Sequence, residues 1–82
     1  MPTVIRVRGL RVVIFTNDHW PPHVHVIGPG REAKIALGDK ARHPTVMTTA
    51  GFSRAQLAEI LVEIDRQHNL LLQRWREIHG DT

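Results

Sequence analysis

Polar and apolar residues alternate along PTVIRVRG, residues 2 to 9, with Ile5 and Val7 on one side and Val4, Arg6 and Arg8 on the other. A period of two is that of a half-buried strand, because successive side chains leave a strand in opposite directions. Gly9 is placed to turn the chain. The next run, LRVVIFTND, is β-branched and aromatic and almost continuously apolar from Val12 to Phe15, which suits a central strand paired on both edges. Further on, GPG at residues 28–30 separates two alternating runs, the pattern of a β-hairpin. On its second arm Ala33, Ile35 and Leu37 share one face, and Glu32, Lys34 and Ala36 share the other. If Val24 and Val26 join the apolar face, His23 and His25 lie on the polar one. These patterns predict strands over about 3–8, 10–17, 22–27 and 31–37. Residues 38–52 read as connective, with at most a short strand at Thr45 to Thr48.

The period then changes to that of a helix. Leu57, Ile60, Leu61, Ile64, His68, Leu71, Trp75 and Ile78 recur at three- and four-residue spacing and form one apolar stripe. Ser53 is a good N-cap and Gly80 a natural stop. The weakest part is QHN at residues 67–69, so the segment 53–79 is one long helix or a helix pair. The fold class that follows is α+β: a single domain over 1–82, an antiparallel sheet of three to four strands packed on that helical layer. One helical layer covers one face of a sheet. The other face is expected to carry Arg6, Arg8, His23, His25 and Lys34.

Composition narrows the classes. A chain of 82 residues buries only about 60 to 65% of its unfolded surface. It has no cysteine, so a homo-oligomer, a histidine-based metal site or a partner is expected to add stability. No apolar run approaches the roughly 18 residues that span a bilayer, and MPTVIRVRGL lacks the apolar core of a signal peptide, so a cytoplasmic protein with no membrane association is expected. The sequence pI of about 10.6 exaggerates a net charge of only +3, since there is no Tyr or Cys to titrate. The basic excess sits in residues 1–51, where seven basic side chains face three acidic ones.

The stretch DHWPPHVHV, residues 18–26, concentrates three of the six histidines and two of the five prolines. Histidines two apart on a strand point the same way about 6.5 to 7 Å apart, and both reach one ion at about 2.0 to 2.1 Å. His19 is a third candidate ligand, and the prolines between fix its position. Asp18 either ligates or orients an imidazole. The metal reading therefore names Asp18, His19, His23 and His25, with zinc the best fit among divalent transition metals; the competing reading has no cofactor. Acid–base catalysis is the second chemistry: His23 and His25 act as base and acid, as in metal-independent RNA cleavage, while Arg6, Arg8 or Lys34 stabilises phosphorane charge. A protein nucleophile is not indicated, because the strand region has no Cys, Tyr or Ser. Trp20 suits a base or a partner protein. Against both stands a structural account in which Pro21 and Pro22 start a strand and the imidazoles merely donate to backbone or carboxylates.

With MPTVIRV, DHWPPHVHV, EAKI and the helical pattern GFS…L…I…LL..W, the chain resembles the bacterial family known as domain of unknown function 4160. The likeness covers nearly its whole length and rests on Asp18, His19, Pro21, Pro22, His23 and His25. Such proteins look like small intracellular ones often encoded beside a second short family, an arrangement similar to toxin–antitoxin pairs. The resemblance thus implies a protein partner encoded nearby. The reading taken from all of this is one half of such a pair, acting through its partner, with RNA or a nucleotide as the expected target class. A metal-binding hydrolase and a non-catalytic homodimeric interaction module are the alternatives.

Overall fold

A computed structural model describes residues 3–38 and 43–80. Five strands precede two helices: β1 (Thr3–Val7), β2 (Leu10–Val13), β3 (His23–Gly28), β4 (Arg31–Ala36), β5 (Thr45–Ala50), α1 (Arg54–Arg66) and α2 (His68–His79). The strands form one antiparallel meander in the order β1-β2-β3-β4-β5. Arg8 and Gly9 close the first hairpin with φ of 52° and 80°, the left-handed pair that a two-residue turn matched to strand twist requires.

Strand register sorts the side chains onto two faces. Val7, Leu10, Val12, Val24, Val26, Ala33 and Ile35 lie on the helix side and are buried, where they meet Ile60 and Ile64 of α1 and Leu71, Leu72 and Trp75 of α2. Each of the valine, leucine and isoleucine side chains contributes roughly 1.5 to 3 kcal/mol through burial. Opposite-strand pairing puts Arg6, Arg11, Ile27 and Glu32 in one row of the other face. The next row holds Val13, His25, Lys34 and Thr48, and the last His23, Ala36 and Thr45.

The expected α+β architecture is present, with five strands instead of three to four. The additional strand, β5, falls in the segment read as connective. Only Val46 on it is partly buried, so it carries no hydrophobic alternation, and its pairing rests on the backbone ladder with β4. β2 stops at Val13 and not near residue 17, because residues 15–18 make a turn: the Asp18 N–H donates to the Phe15 carbonyl at 3.1 Å and the Phe15 N–H donates to Asp18 Oδ2 at 3.0 Å.

The helical segment is a pair, divided at Gln67, whose N–H is shared between the carbonyls of Glu63 and Ile64 at 3.2 Å each. Ser53 caps α1 through a reciprocal arrangement with Gln56, at 3.1 and 2.8 Å. At the break, buried His68 donates through Nε2 to the Leu37 carbonyl at 2.6 Å, which ties the start of α2 to the end of β4. From there α2 runs towards the β2–β3 connection, where His79 Nε2 donates to the Phe15 carbonyl at 3.0 Å. Among the described residues no helix is long and apolar enough to cross a membrane.

Leu71 is fully buried on the stripe, whereas Val62 on the outer face of α1 is 53% exposed. Leu71→Ala should therefore cost about 2 to 5 kcal/mol in urea unfolding, and Val62→Ala should stay within about 0.5 kcal/mol. Equal effects would show that the stripe does not build the core.

Candidate metal centre

The strand β3 begins at His23, and alternation sends His23 and His25 to the face away from the helices. That face is not bare here. The connection 14–22 folds over its end, with Phe15 packed edge-on against His25 at a centroid separation of 4.7 Å. Trp75 reaches the same end from α2 and lies 5.3 Å from the His23 ring, with His79 stacked behind it at 4.0 Å. His23 is consequently buried, at 3% exposure, and His25 is half-buried. The expectation of two imidazoles displayed to solvent does not hold for His23. The extra cover comes from Trp75 of α2 against His23 and Phe15 of the β2–β3 connection against His25.

Asp18 is the hub. Its Oδ1 lies 3.2 Å from His25 Nε2 and 3.5 Å from His23 Nε2, while its Oδ2 accepts the Phe15 N–H. Side chains at all three positions are shielded, with exposures of 11% for Asp18, 4% for His23 and 14% for His25. Burial pushes the Asp18 carboxyl up. The Phe15 N–H, the His25 hydrogen bond and the charge of both imidazoles outweigh burial and hold the carboxyl below the ordinary aspartate range.

The hydrogen bonds bear on which nitrogen is free. His23 Nδ1 donates to the Pro21 carbonyl at 2.8 Å, so a neutral His23 presents its Nε2 lone pair to the Asp18 carboxylate. A lone pair facing an anion needs a positive charge between them, either a proton or a metal ion. His25 Nδ1 is buried without a hydrogen-bond partner, and the nearest carboxylate, Glu32 Oε1, stands 3.9 Å away. Asp18, His23 and His25 present ligand atoms that all lie within 4.8 Å of one another. Ligands about 2.0 to 2.2 Å from a tetrahedral zinc are separated by about 3.3 to 3.6 Å. The two aspartate–imidazole separations, 3.5 and 3.2 Å, are close to that edge.

Of the residues singled out from sequence, Asp18, His23 and His25 converge. His19 is exposed and lies outside the cluster, as does Trp20, whose side chain is 65% exposed and whose peptide bond to Pro21 is cis. Arg6 and Lys34 share the histidine face, Lys34 directly opposite His25 on β4. Arg8 does not: it sits on the first turn and pairs with Glu59 of α1 at 2.9 Å. Three contributors were not found from the sequence: Glu32 beside His25, Phe15 over it, and Trp75 against His23. The alternation that grouped Glu32 with Lys34 held the signal for the first. The other two depend on how a loop and a helix end fold back.

Among known proteins, one family model, described as Domain of unknown function (DUF4160), matches residues 9–76. No curated protein and no solved structure matches the chain.

The lowered Asp18 carboxyl fixes the direction of an acid effect in chelator-treated protein. Its contribution to stability is complete above the unfolded aspartate value of about 3.9 and is lost as pH falls through the lower folded value. Asp18→Asn should flatten the fall in unfolding free energy between about pH 4 and about pH 2, measured by urea titration at each pH. An unchanged acid limb would show that the carboxylate is not engaged.

Proposed function

The chain belongs to the DUF4160 family, whose description gives no activity, so the geometry of the site carries the reading, and we propose that the protein binds a divalent transition metal ion, zinc fitting best, through Asp18, His23 and His25. The observation that carries it is the convergence of one carboxylate and two imidazoles on a shielded point, with His23 already locked through Nδ1. Hydrogen bonding of the distal ring nitrogen is the arrangement that orients ligating histidines. On His25 the corresponding nitrogen is the buried one without a partner, and Glu32 is the carboxylate nearest to it.

Three protein ligands leave a coordination position for water or substrate, the pattern of hydrolytic rather than structural zinc sites. Such an ion supplies Lewis acidity and a bound water acidic enough to act near neutrality. The surrounding charge favours an anionic substrate, with Arg6 and Lys34 on the same face. A phosphoester of RNA or a nucleotide is the class proposed, in which Arg6 and Lys34 hold phosphate and the ligands position the ion. The same three residues without metal can perform acid–base chemistry, but the buried position of His23 favours a ligand over a group that meets substrate.

A second reading concerns partners. Trp20 stands in solvent beside the site, and an exposed tryptophan followed by Pro21 and Pro22 is a rigid anchor of the kind that dominates protein interfaces. The exposed ring supports a protein partner that covers the site; on this reading the partner is encoded nearby and the two form a cytoplasmic toxin–antitoxin-like pair.

Untagged protein should take up about one equivalent of zinc, and saturation should raise the midpoint of thermal unfolding by roughly 10 °C or more. His25→Ala should weaken zinc by more than about 100-fold, and Glu32→Gln by about 10- to 100-fold, without altering the metal-free midpoint in the second case. Absence of both uptake and thermal shift would sink the metal reading. For the partner reading, Trp20→Ala should leave folding stability within about 0.5 kcal/mol yet abolish capture of the neighbouring gene product.

A further inference from the structure

A second site lies on the other side of the sheet from the histidines. Five separate segments meet there: the first turn, the start of β2, the start of β4, the link into α1 and the first two turns of α1. Between them is a cavity of about 140 Å³, well below the roughly 300 Å³ at which drug-sized sites begin. Its floor is apolar, made by the buried Leu10 and Ile60 with Phe52 beside them. Its rim is charged, with Arg8 and Glu59 on one wall and Arg31 on another.

The two arginines are in different states. Arg8 is paired with Glu59 at 2.9 Å. Arg31 has no carboxylate partner among the described residues; its guanidinium lies over the Phe52 ring, 5.5 Å from the centroid. Packing fixes that position. A Cβ at Gly51, where φ is +86°, would meet the Gly30 carbonyl at 2.5 Å and Arg31 Cγ at 3.0 Å, so the missing side chain is what lets the arginine stem lie there. An unpaired guanidinium is thus held ready at the mouth of an apolar hollow, and the three rim charges sum to one positive charge.

We infer that this cavity binds a small organic monoanion, a carboxylate on a compact apolar body. The carboxylate sits between the Arg31 and Arg8 guanidinium groups, and the body rests on Phe52, Leu10 and Ile60. Two guanidinium groups suit carboxylate geometry, and the apolar floor distinguishes an organic anion from an inorganic one. The site is independent of the metal reading, being built on the opposite face from residues that do not touch Asp18, His23 or His25.

The experiment is a titration of the full chain with benzoate, followed by amide and side-chain NMR shifts. The expected result is saturable shifts at Phe52, Gln56 and the Arg31 Nε–H, with His23 and His25 unmoved and a dissociation constant of about 1 mM. Benzyl alcohol, which lacks the charge, and acetate, which lacks the body, should each bind at least about tenfold more weakly. Arg31→Met, which keeps the stem, should weaken benzoate about tenfold or more, and Arg8→Gln on the exposed turn should weaken it in the same direction. Failure to saturate by about 20 mM, benzyl alcohol equal to benzoate, shifts on the histidine face instead, or undiminished binding by folded Arg31→Met and Arg8→Gln variants would each overturn the proposal.

Discussion

The Asp18 carboxylate is the point on which the organisation of this small domain turns. One of its oxygens holds the Phe15 N–H and so ends β2; the other faces the two imidazoles that open β3. The connection between β2 and β3 is thereby folded onto the sheet instead of standing away from it, and the same contact defines the candidate centre. A shielded carboxylate of this kind is tolerable only while its partners are in place, since a buried charge that loses its partner costs about 3 to 5 kcal/mol. Stability and chemistry are therefore coupled in one group. A ligand that replaces a proton between Asp18 and His23 works with the fold.

The helices contribute to the site from a distance. Their apolar stripe is buried against the opposite face, yet Trp75 of α2 lies against His23 and His79 holds the Phe15 carbonyl, which closes the end of the histidine row. The break at Gln67 divides the two helices, and His68 anchors the start of α2 on the Leu37 carbonyl. The result is a chain of edge-on and tilted ring contacts from Phe15 through His25 and His23 to Trp75, which limits water around the imidazoles while Lys34 and Glu32 stay at the rim.

Elements whose side chains obey a period were legible in the sequence. Strands β1, β3 and β4 alternate, the helical stripe recurs every three to four residues, and both resolve to their expected faces. Strand β5 was not legible, since an edge strand that buries little has no pattern to read. The site divides in the same way. Its residue types and the shared direction of His23 and His25 follow from strand geometry, and so does the nearness of Lys34. The exclusion of His19 and the burial of His23 do not, because both depend on the path of an irregular loop and on where a distant helix ends. Arg8 was assigned to the histidine face by simple alternation, but a left-handed turn residue breaks the alternation and sends it towards α1.

The sheet is a meander in which every strand pairs only with its neighbours in sequence. Loop-closure entropy for each pairing is small, and topologies dominated by such local contacts fold faster than sheets that must bring distant strands together. The longest closure within the first four strands is the one that carries Asp18. Assembly of the ladder can thus run ahead from the two tight hairpins on either side, leaving the carboxylate and its imidazoles to meet when those halves join. For a newly made chain, the centre would be among the last parts to acquire its final shape, and the hairpins among the first.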